Sequence, residues 1–109
     1  MEQITNYIEL NRVVDALQKN LSPKKIYLFG SYAYGQPDQG SDIDLCIITD
    51  DSSKRKIEVL RQARRALAYI VSLPVDLLVY RNEEFEERAR LSTTLEHKIM
   101  NEGIIIYEQ

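Results

Sequence analysis

The chain has 109 residues, of which 44% are hydrophobic and 28% charged, and its formal net charge is -3 at pH 7. These values predict one ordinary folded domain over residues 1–109 and exclude a disordered or fibrous chain. The acidic balance argues against a broad phosphate-binding surface, so direct nucleic-acid binding is not expected. No apolar run is long enough to span a bilayer and the start, "MEQITNYIEL", lacks an export signal, which predicts a cytoplasmic protein without a membrane partner. Cys46 is the single cysteine, which excludes an internal disulfide and favours a buried thiol.

The first half of the chain predicts a helix and two strands. Apolar residues recur at three- and four-residue steps from Ile4 to Leu21, which indicates a helix with one buried stripe. "KIYLFG", from Lys25 to Gly30, reads as a short strand buried on both faces. A second strand, "DIDLCIIT", runs from Asp42 to Thr49 with two acids at its start.

The second half predicts a long helix, a strand, two shorter helices and a last strand. The long helix covers residues 57–71, and "VDLLVY" forms the third strand. Asn82 is the expected N-cap of an acidic helix. The spacing from Thr93 to Glu96 indicates a capping box for the next helix, which is predicted to end at Gly103. The segment "IIIY" then forms the last strand. This order of elements predicts an α/β (α+β) fold, with a small mixed β-sheet covered by helices.

The stretch "FGSYAYGQPDQGSDIDL" holds three of the four glycines. Gly30 permits a sharp turn and the close approach of a ligand. If Ser31 to Tyr34 form one helical turn ended by Gly35, its N–H groups and the Ser31 hydroxyl can bind an anion, for which phosphate is the expected chemistry. Plain turn chemistry is the alternative for Gly-Ser on its own. Tyr32 is interpreted either as a nucleotide contact or as a core aromatic.

Two carboxylates follow that turn. Asp42 and Asp44 lie two residues apart on a strand, so the pleat sends both to one face, where a shared Mg²⁺ would relieve their repulsion. An acidic turn before a strand is the alternative. Asp76, in the third strand, is predicted to be buried and to complete a carboxylate triad, unless a buried arginine pairs with it. A phosphate-binding turn and three carboxylates are the parts that two-metal displacement at phosphorus requires.

Two other features have simple interpretations. The middle helix carries a basic side that is favoured as a solvated face, with an acidic partner or RNA as the alternatives. Its members are Lys54, Arg55, Lys56, Arg61, Arg64 and Arg65. His97, the single histidine, is predicted to lie at the surface.

The chain resembles the nucleotidyltransferase superfamily of DNA polymerase beta type in the order of its motifs. These are Gly30-Ser31, a spacing of ten residues, Asp42-Ile43-Asp44 and a later strand aspartate. The chain is also similar to the minimal branch of that superfamily, the MNT domain proteins known as MntA-type antitoxins of HEPN/MNT pairs. The similarity lies in the segments "GSYAYG", "SDIDL", "VDLLVYRNEEF" and "EGIIIYE". Many relatives have arginine at the position of Tyr34, so a cationic contribution from that position is not expected here.

The resemblance implies a nucleotidyltransferase fold and AMPylation, which is the transfer of AMP from ATP to a hydroxyl. In MNT antitoxins that hydroxyl belongs to a tyrosine of the HEPN toxin, so the resemblance also implies a hetero-oligomer of this chain with such a toxin. It implies that Gly30 and Ser31 hold the β- and γ-phosphates, and that Asp42, Asp44 and Asp76 hold two Mg²⁺ ions, with Mn²⁺ as an alternative. A chain this small has little room for an acceptor pocket, which favours an acceptor on another protein. The alternatives are transfer to a small-molecule or RNA hydroxyl with a partner subunit, and an antitoxin that binds without catalysis.

Overall fold

The computed structural model describes residues 2–35, 42–50, 53–71 and 74–109. Five helices and four strands lie within those ranges, in the predicted order. They are α1 (Glu2–Leu21), β1 (Lys25–Phe29), α2 (Ser31–Tyr34), β2 (Ile43–Thr49), α3 (Lys56–Leu67), β3 (Val75–Arg81), α4 (Asn82–Ala89), α5 (Leu95–Glu102) and β4 (Ile104–Glu108). None of these helices is both long and apolar enough to cross a membrane.

The four strands form one mixed sheet in the order β3-β2-β1-β4. β1 is antiparallel to both β2 and β4, whereas β2 and β3 are parallel. The parallel pair needs a crossover, and α3 provides it. The predicted mixed sheet covered by helices is therefore confirmed.

The first face of the sheet, covered by α1 and α3, holds the larger core. Alternate residues of each strand point to this face, as Ile43, Leu45 and Ile47 of β2 do, and all three are fully buried. They pack in one cluster with Val13 of α1 and Ala63 of α3. This cluster supplies most of the apolar burial that holds the domain together.

The second face of the sheet is covered by α4 and α5 over a smaller core. Cys46 and Ile48 of β2 point to this face and pack with Phe85 of α4 and Ile99 of α5. The Phe85 ring lies 5.5 Å, centroid to centroid, from the ring of Tyr27 in β1. The predicted burial of the Cys46 thiol is confirmed.

Several local predictions were wrong. Asp76 is exposed and not buried, because β3 is an edge strand and Asp76 lies near its start. Asn82 is the first residue of α4 and not its N-cap, which is Arg81. The cap of α5 is Thr94, whose side chain accepts from the His97 backbone N–H, one residue later than the predicted box. Gly103 ends α5 as predicted.

One ion pair joins α3 to α4 at the ends of β2 and β3. Lys56 Nζ donates to both carboxylate oxygens of Glu84, at 2.8 and 2.9 Å. The hydrogen bond from Lys56 is the main reason that the pKa of Glu84 lies below its ordinary value. This pair ties together the two helices that leave the same end of the sheet.

We predict that Glu84→Gln lowers the free energy of unfolding by about 0.5–1 kcal/mol at pH 7. Because the folded pKa of Glu84 is lowered, its contribution is present above the unfolded pKa of about 4.3 and is lost as the pH falls through the folded value. Urea denaturation at pH 7 and pH 3 measures this, and the variant and parent should converge at pH 3. Glu87→Gln, on the exposed side of α4, is the control and should match the parent at both pH values. A difference for Glu84→Gln that is the same at both pH values would contradict the ion-pair account.

Candidate functional site

Gly30 is where the site begins, directly after β1. The register of β1 and β2 places Phe29 opposite Asp44, and the backbone then turns at Gly30 with φ of 75°. A Cβ built on Gly30 would lie 2.9 Å from Cγ and 3.2 Å from Cβ of Asp44. Both the positive φ and the lack of space exclude other side chains at this position. The group that packs against Gly30 is the Asp44 side chain, and the approach of a ligand at Gly30 stays a prediction.

The helical turn predicted after Gly30 is confirmed as α2. The Gly30 carbonyl accepts from the N–H groups of Ala33 and Tyr34 at 3.0 and 2.9 Å. Gly35 ends the turn, and its N–H donates to the Ser31 carbonyl at 3.2 Å. Ser31 is half-buried at the N-terminal end of this turn, beside Gly30. Residues 36–41, which complete the glycine-rich stretch before Asp42, lie outside the described residues.

Asp42, Asp44 and Asp76 form what we call the carboxylate cluster. Asp44 alternates with Cys46 along β2, so its side chain points to the second face. Asp76 is directly in register with Asp44 across the parallel β2–β3 pair and shares that face. Asp42, two residues before Asp44, is hydrogen-bonded to Asp76 through the side chains. The structure thus brings together the three aspartates that the sequence singled out.

The surroundings of the cluster raise the pKa values of Asp42 and Asp44. The pKa of Asp42 is raised mainly by the side-chain hydrogen bond with Asp76. The pKa of Asp44 is raised first by burial and then by the negative charges of Asp76 and Asp42. Three neighbouring carboxylates therefore attract positive charge.

Carboxylate oxygens are the ligands that Mg²⁺ prefers, so the chemistry of the cluster fits the predicted ion. Gly30 leaves Asp44 the space to stand in the turn, which also fits a site where a ligand approaches the backbone. Across the described ranges, however, no group of three or more His, Cys, Asp and Glu side chains is arranged to hold a metal ion. Metal binding by Asp42, Asp44 and Asp76 stays a prediction.

The two tyrosines of α2 pack in different places. Tyr32 is half-buried against the core of the first face, as the core-aromatic interpretation expected, and a nucleotide contact by Tyr32 stays a prediction. Tyr34 lies toward the second face, where burial and the charges of Glu102 and Asp44 raise its pKa. Lys98 of α5 holds its ammonium 4.7 Å from the centre of the Tyr34 ring. The contact with Lys98 was missed, because α2 and α5 are more than 60 residues apart in the sequence.

Other titratable groups of the second face have structural roles. Burial raises the pKa of the Cys46 thiol and raises that of Tyr80 to about 12, which keeps both groups neutral near pH 7. Glu96 is buried on this face and pairs with Arg88, with Nη1 and Oε1 3.4 Å apart. His97, which the sequence placed at the surface, is half-buried, and its Nδ1 lies 2.8 Å from the Ala89 carbonyl oxygen.

The chain belongs to the nucleotidyltransferase domain family, whose model matches residues 10–106. The match includes the glycine turn and all three aspartates. It confirms the enzyme class that the sequence predicted. No curated protein sequence matches this chain.

Solved structures share the fold at low sequence identity. The chain aligns over 98% of its length with 84% of a candidate nucleotidyltransferase from Sulfolobus solfataricus, at 16% identity and a TM-score of 0.63. A toxin–antitoxin structure with AMP-PNP matches 91% of this chain over 73% of its own, at 24% identity and a TM-score of 0.57. A complex of a tri-AMPylated Shewanella oneidensis HEPN toxin with an MNT antitoxin matches all of this chain over 74% of its own, at 22% identity and a TM-score of 0.52. These similarities confirm the predicted nucleotidyltransferase fold.

We predict that Gly30→Ala lowers the free energy of unfolding by about 1–3 kcal/mol, because a Cβ at this position meets both the Asp44 side chain and an unfavourable φ. Gly35→Ala is the matched control. Its φ of -154° suits any residue and nothing lies within 4 Å of its built Cβ, so its stability should equal or slightly exceed that of the parent. Thermal denaturation compares the two variants.

The loss of stability caused by Gly30→Ala should be smaller when this change is combined with Asp44→Ala, because Asp44→Ala removes the carboxylate from the contact. A Gly30→Ala variant as stable as Gly35→Ala would show that the contact with Asp44 is absent in solution.

We predict that Asp76→Asn leaves the melting temperature unchanged or raises it at pH 7 without added metal. The raised pKa values of Asp42 and Asp44 mean that the charged cluster destabilises the fold above those pKa values. Any gain should therefore be lost as the pH falls through the raised pKa values of Asp42 and Asp44 to the unfolded value of about 3.9. Scanning calorimetry at pH 7 and at a pH of about 3.9 measures it. A large loss of stability at pH 7 would instead indicate that Asp76 pairs with a cation in the fold.

Proposed function

We propose that this chain transfers AMP from ATP to a tyrosine hydroxyl of a partner HEPN-domain protein and acts as its antitoxin. The observation that carries the proposal is the packing of Asp44 against Gly30, with Asp76 in register beside it. This arrangement puts a phosphate-binding turn and three carboxylates at one end of the sheet. Membership of the nucleotidyltransferase family supports the reaction class.

In this proposal the turn binds the nucleotide. The Ser31 hydroxyl and the backbone around Gly30 hold the β- and γ-phosphates at the start of α2. The half-buried ring of Tyr32 stands next to Ser31 and is proposed to contact the nucleotide. The exposed Asp42 and the half-buried Asp44 face the same space.

Asp42, Asp44 and Asp76 would hold two Mg²⁺ ions, or Mn²⁺, which supply charge neutralisation for the triphosphate and activation of the attacking hydroxyl. The acceptor oxygen forms a bond to the α-phosphorus, while the bond from that phosphorus to the bridging oxygen of the β-phosphate breaks. Pyrophosphate leaves with the electron pair of the broken bond, and the hydroxyl proton passes to the exposed carboxylate of Asp76. The carboxylates are acceptor-only groups when ionised, which suits both tasks.

The acceptor follows from the surroundings of the site and from the structural relatives. Asp76 lies on an edge strand and is exposed, so the site is open to a second protein. One relative is an MNT antitoxin in complex with a tri-AMPylated HEPN toxin, and another complex of a toxin with an antitoxin was solved with AMP-PNP. Transfer to a tyrosine of a HEPN-domain partner is the reaction that joins these observations. Action inside the cytoplasm is part of the proposal.

We predict that the chain, ATP and Mg²⁺ raise the mass of the HEPN-domain protein encoded beside it by one or more AMP units. Asp42→Asn/Asp44→Asn should add none and should lose metal-dependent ATP binding in calorimetry, because the carboxylates that neutralise the nucleotide are gone. Glu86→Gln/Glu87→Gln, which removes two carboxylates from the exposed side of α4, is the control and should retain both activities.

The measurements also separate the alternatives. Full neutralisation of the toxin without a change in its mass would leave a binding-only antitoxin. AMP transfer to a small-molecule or RNA hydroxyl, with none to the HEPN-domain protein, would replace the acceptor. Mg²⁺-dependent ATP binding by Asp42→Asn/Asp44→Asn equal to that of the parent would show that the metal assignment is wrong.

A further inference from the structure

A groove runs along the open edge of β3 on the first face, on the other side of the strand from the carboxylate cluster. Its volume is about 220 Å³. An apolar cavity of about 150 Å³ holds a benzene ring, so this groove has room for one aromatic or branched side chain. It is lined by Arg64, Leu67, Ala68, Val71, Val75 and Leu77.

Arg64 is the basic residue among those that line the groove, although the whole chain is acidic. α3 carries four basic residues and one acid, and the chain has a net charge of -3. Arg61, Arg64 and Arg65 are exposed on α3, and within the described ranges none of them forms an ion pair. Tyr69, in the turn after α3, is fully exposed. A groove lined by Arg64 and five apolar residues is complementary to an acidic segment that presents an apolar side chain.

The groove adjoins the proposed active site along one strand. Val75 and Leu77 line the groove, and Asp76 lies between them and points to the opposite face. A segment bound in the groove therefore needs only to pass around the β3 edge to reach the carboxylate cluster. Each extended residue spans about 3.3–3.6 Å, so a few residues are enough to pass around one strand.

We propose that this groove docks an acidic segment of the acceptor protein, whose apolar side chain fills it while the tyrosine, a few residues away, reaches Asp76 around the β3 edge. The inference rests on the proposed function and adds the surface that selects the partner. The apolar residues of the groove contact the inserted side chain, and Arg64 attracts and orients the acidic segment. The site on the second face then needs no acceptor pocket of its own.

The test measures the affinity of the HEPN-domain protein for variants of the groove. Ala68→Phe fills the groove from an exposed position, and Arg64→Glu reverses the charge of its basic residue. Each should weaken binding about tenfold or more. Arg90→Glu, an equal charge reversal at an exposed position after α4, is the control and should bind within about twofold of the parent. All three variants are made in the Asp42→Asn/Asp44→Asn chain, so that binding is measured without AMP transfer. The same three substitutions are also made in the parent chain, where melting temperatures verify the fold and titration with Mg-ATP verifies the nucleotide site.

The outcomes separate this inference from the proposed function. Parent-like affinity of both Ala68→Phe and Arg64→Glu, or no binding of the HEPN-domain protein to the parent chain, overturns the docking surface. Weakened binding by both groove variants, with no AMP added by the parent chain, supports the surface and contradicts the transfer reaction. Self-association that Ala68→Phe abolishes would assign the groove to a second copy, and RNA binding that Arg64→Glu abolishes would assign it to RNA. Either result overturns the proposal.

Discussion

The contact between the Asp44 side chain and the backbone of Gly30 is the constraint on which the rest of the site depends. Asp44 occupies the space where any other residue at position 30 would place its Cβ. This packing joins the end of β1 to the start of β2 and orients α2, which begins at the next residue. The turn and the carboxylates therefore form one unit, because neither can move without the other.

The sheet lets one small domain build both a stable core and a charged site. Alternation along β2 sends Ile43, Leu45 and Ile47 to the large core of the first face and Asp44 to the second. α4 and α5 cover the second face around Phe85 and Ile99 and leave the carboxylates accessible. The like charges of the cluster destabilise the fold, and the burial on the first face offsets this.

β3 carries opposite charges on its two sides. The carboxylate cluster lies on the second face, whereas Arg64 of α3 lines a groove on the first. An edge strand is a ready place for another chain to bind, and this edge separates a surface that attracts acids from one that attracts cations. A partner that binds around the edge would meet both, which would fix its orientation as well as its affinity.

Local patterns predicted most of the elements and the three aspartates, because periodicity, glycine chemistry and the spacing of Asp42 and Asp44 depend on neighbours in the chain. They failed where the answer depended on the position of a strand in the sheet. Asp76 was predicted to be buried from the apolar residues around it, but the order β3-β2-β1-β4 leaves β3 at an edge and Asp76 exposed. His97 was predicted to lie at the surface and is half-buried for a different reason, since its contact with Ala89 forms only when α4 and α5 pack together.

By itself the sequence determined the class of fold, the glycine turn and the residue types of the site, because these follow from backbone conformation and side-chain alternation. Only the tertiary structure decided that Asp44 fills the space at Gly30, that Asp76 stands in register with Asp44, and that a groove lined by Arg64 and apolar residues borders the same strand. The physical reason is that strand order, register and helix packing are set by the burial of apolar side chains from distant parts of the chain, and no local pattern contains that information.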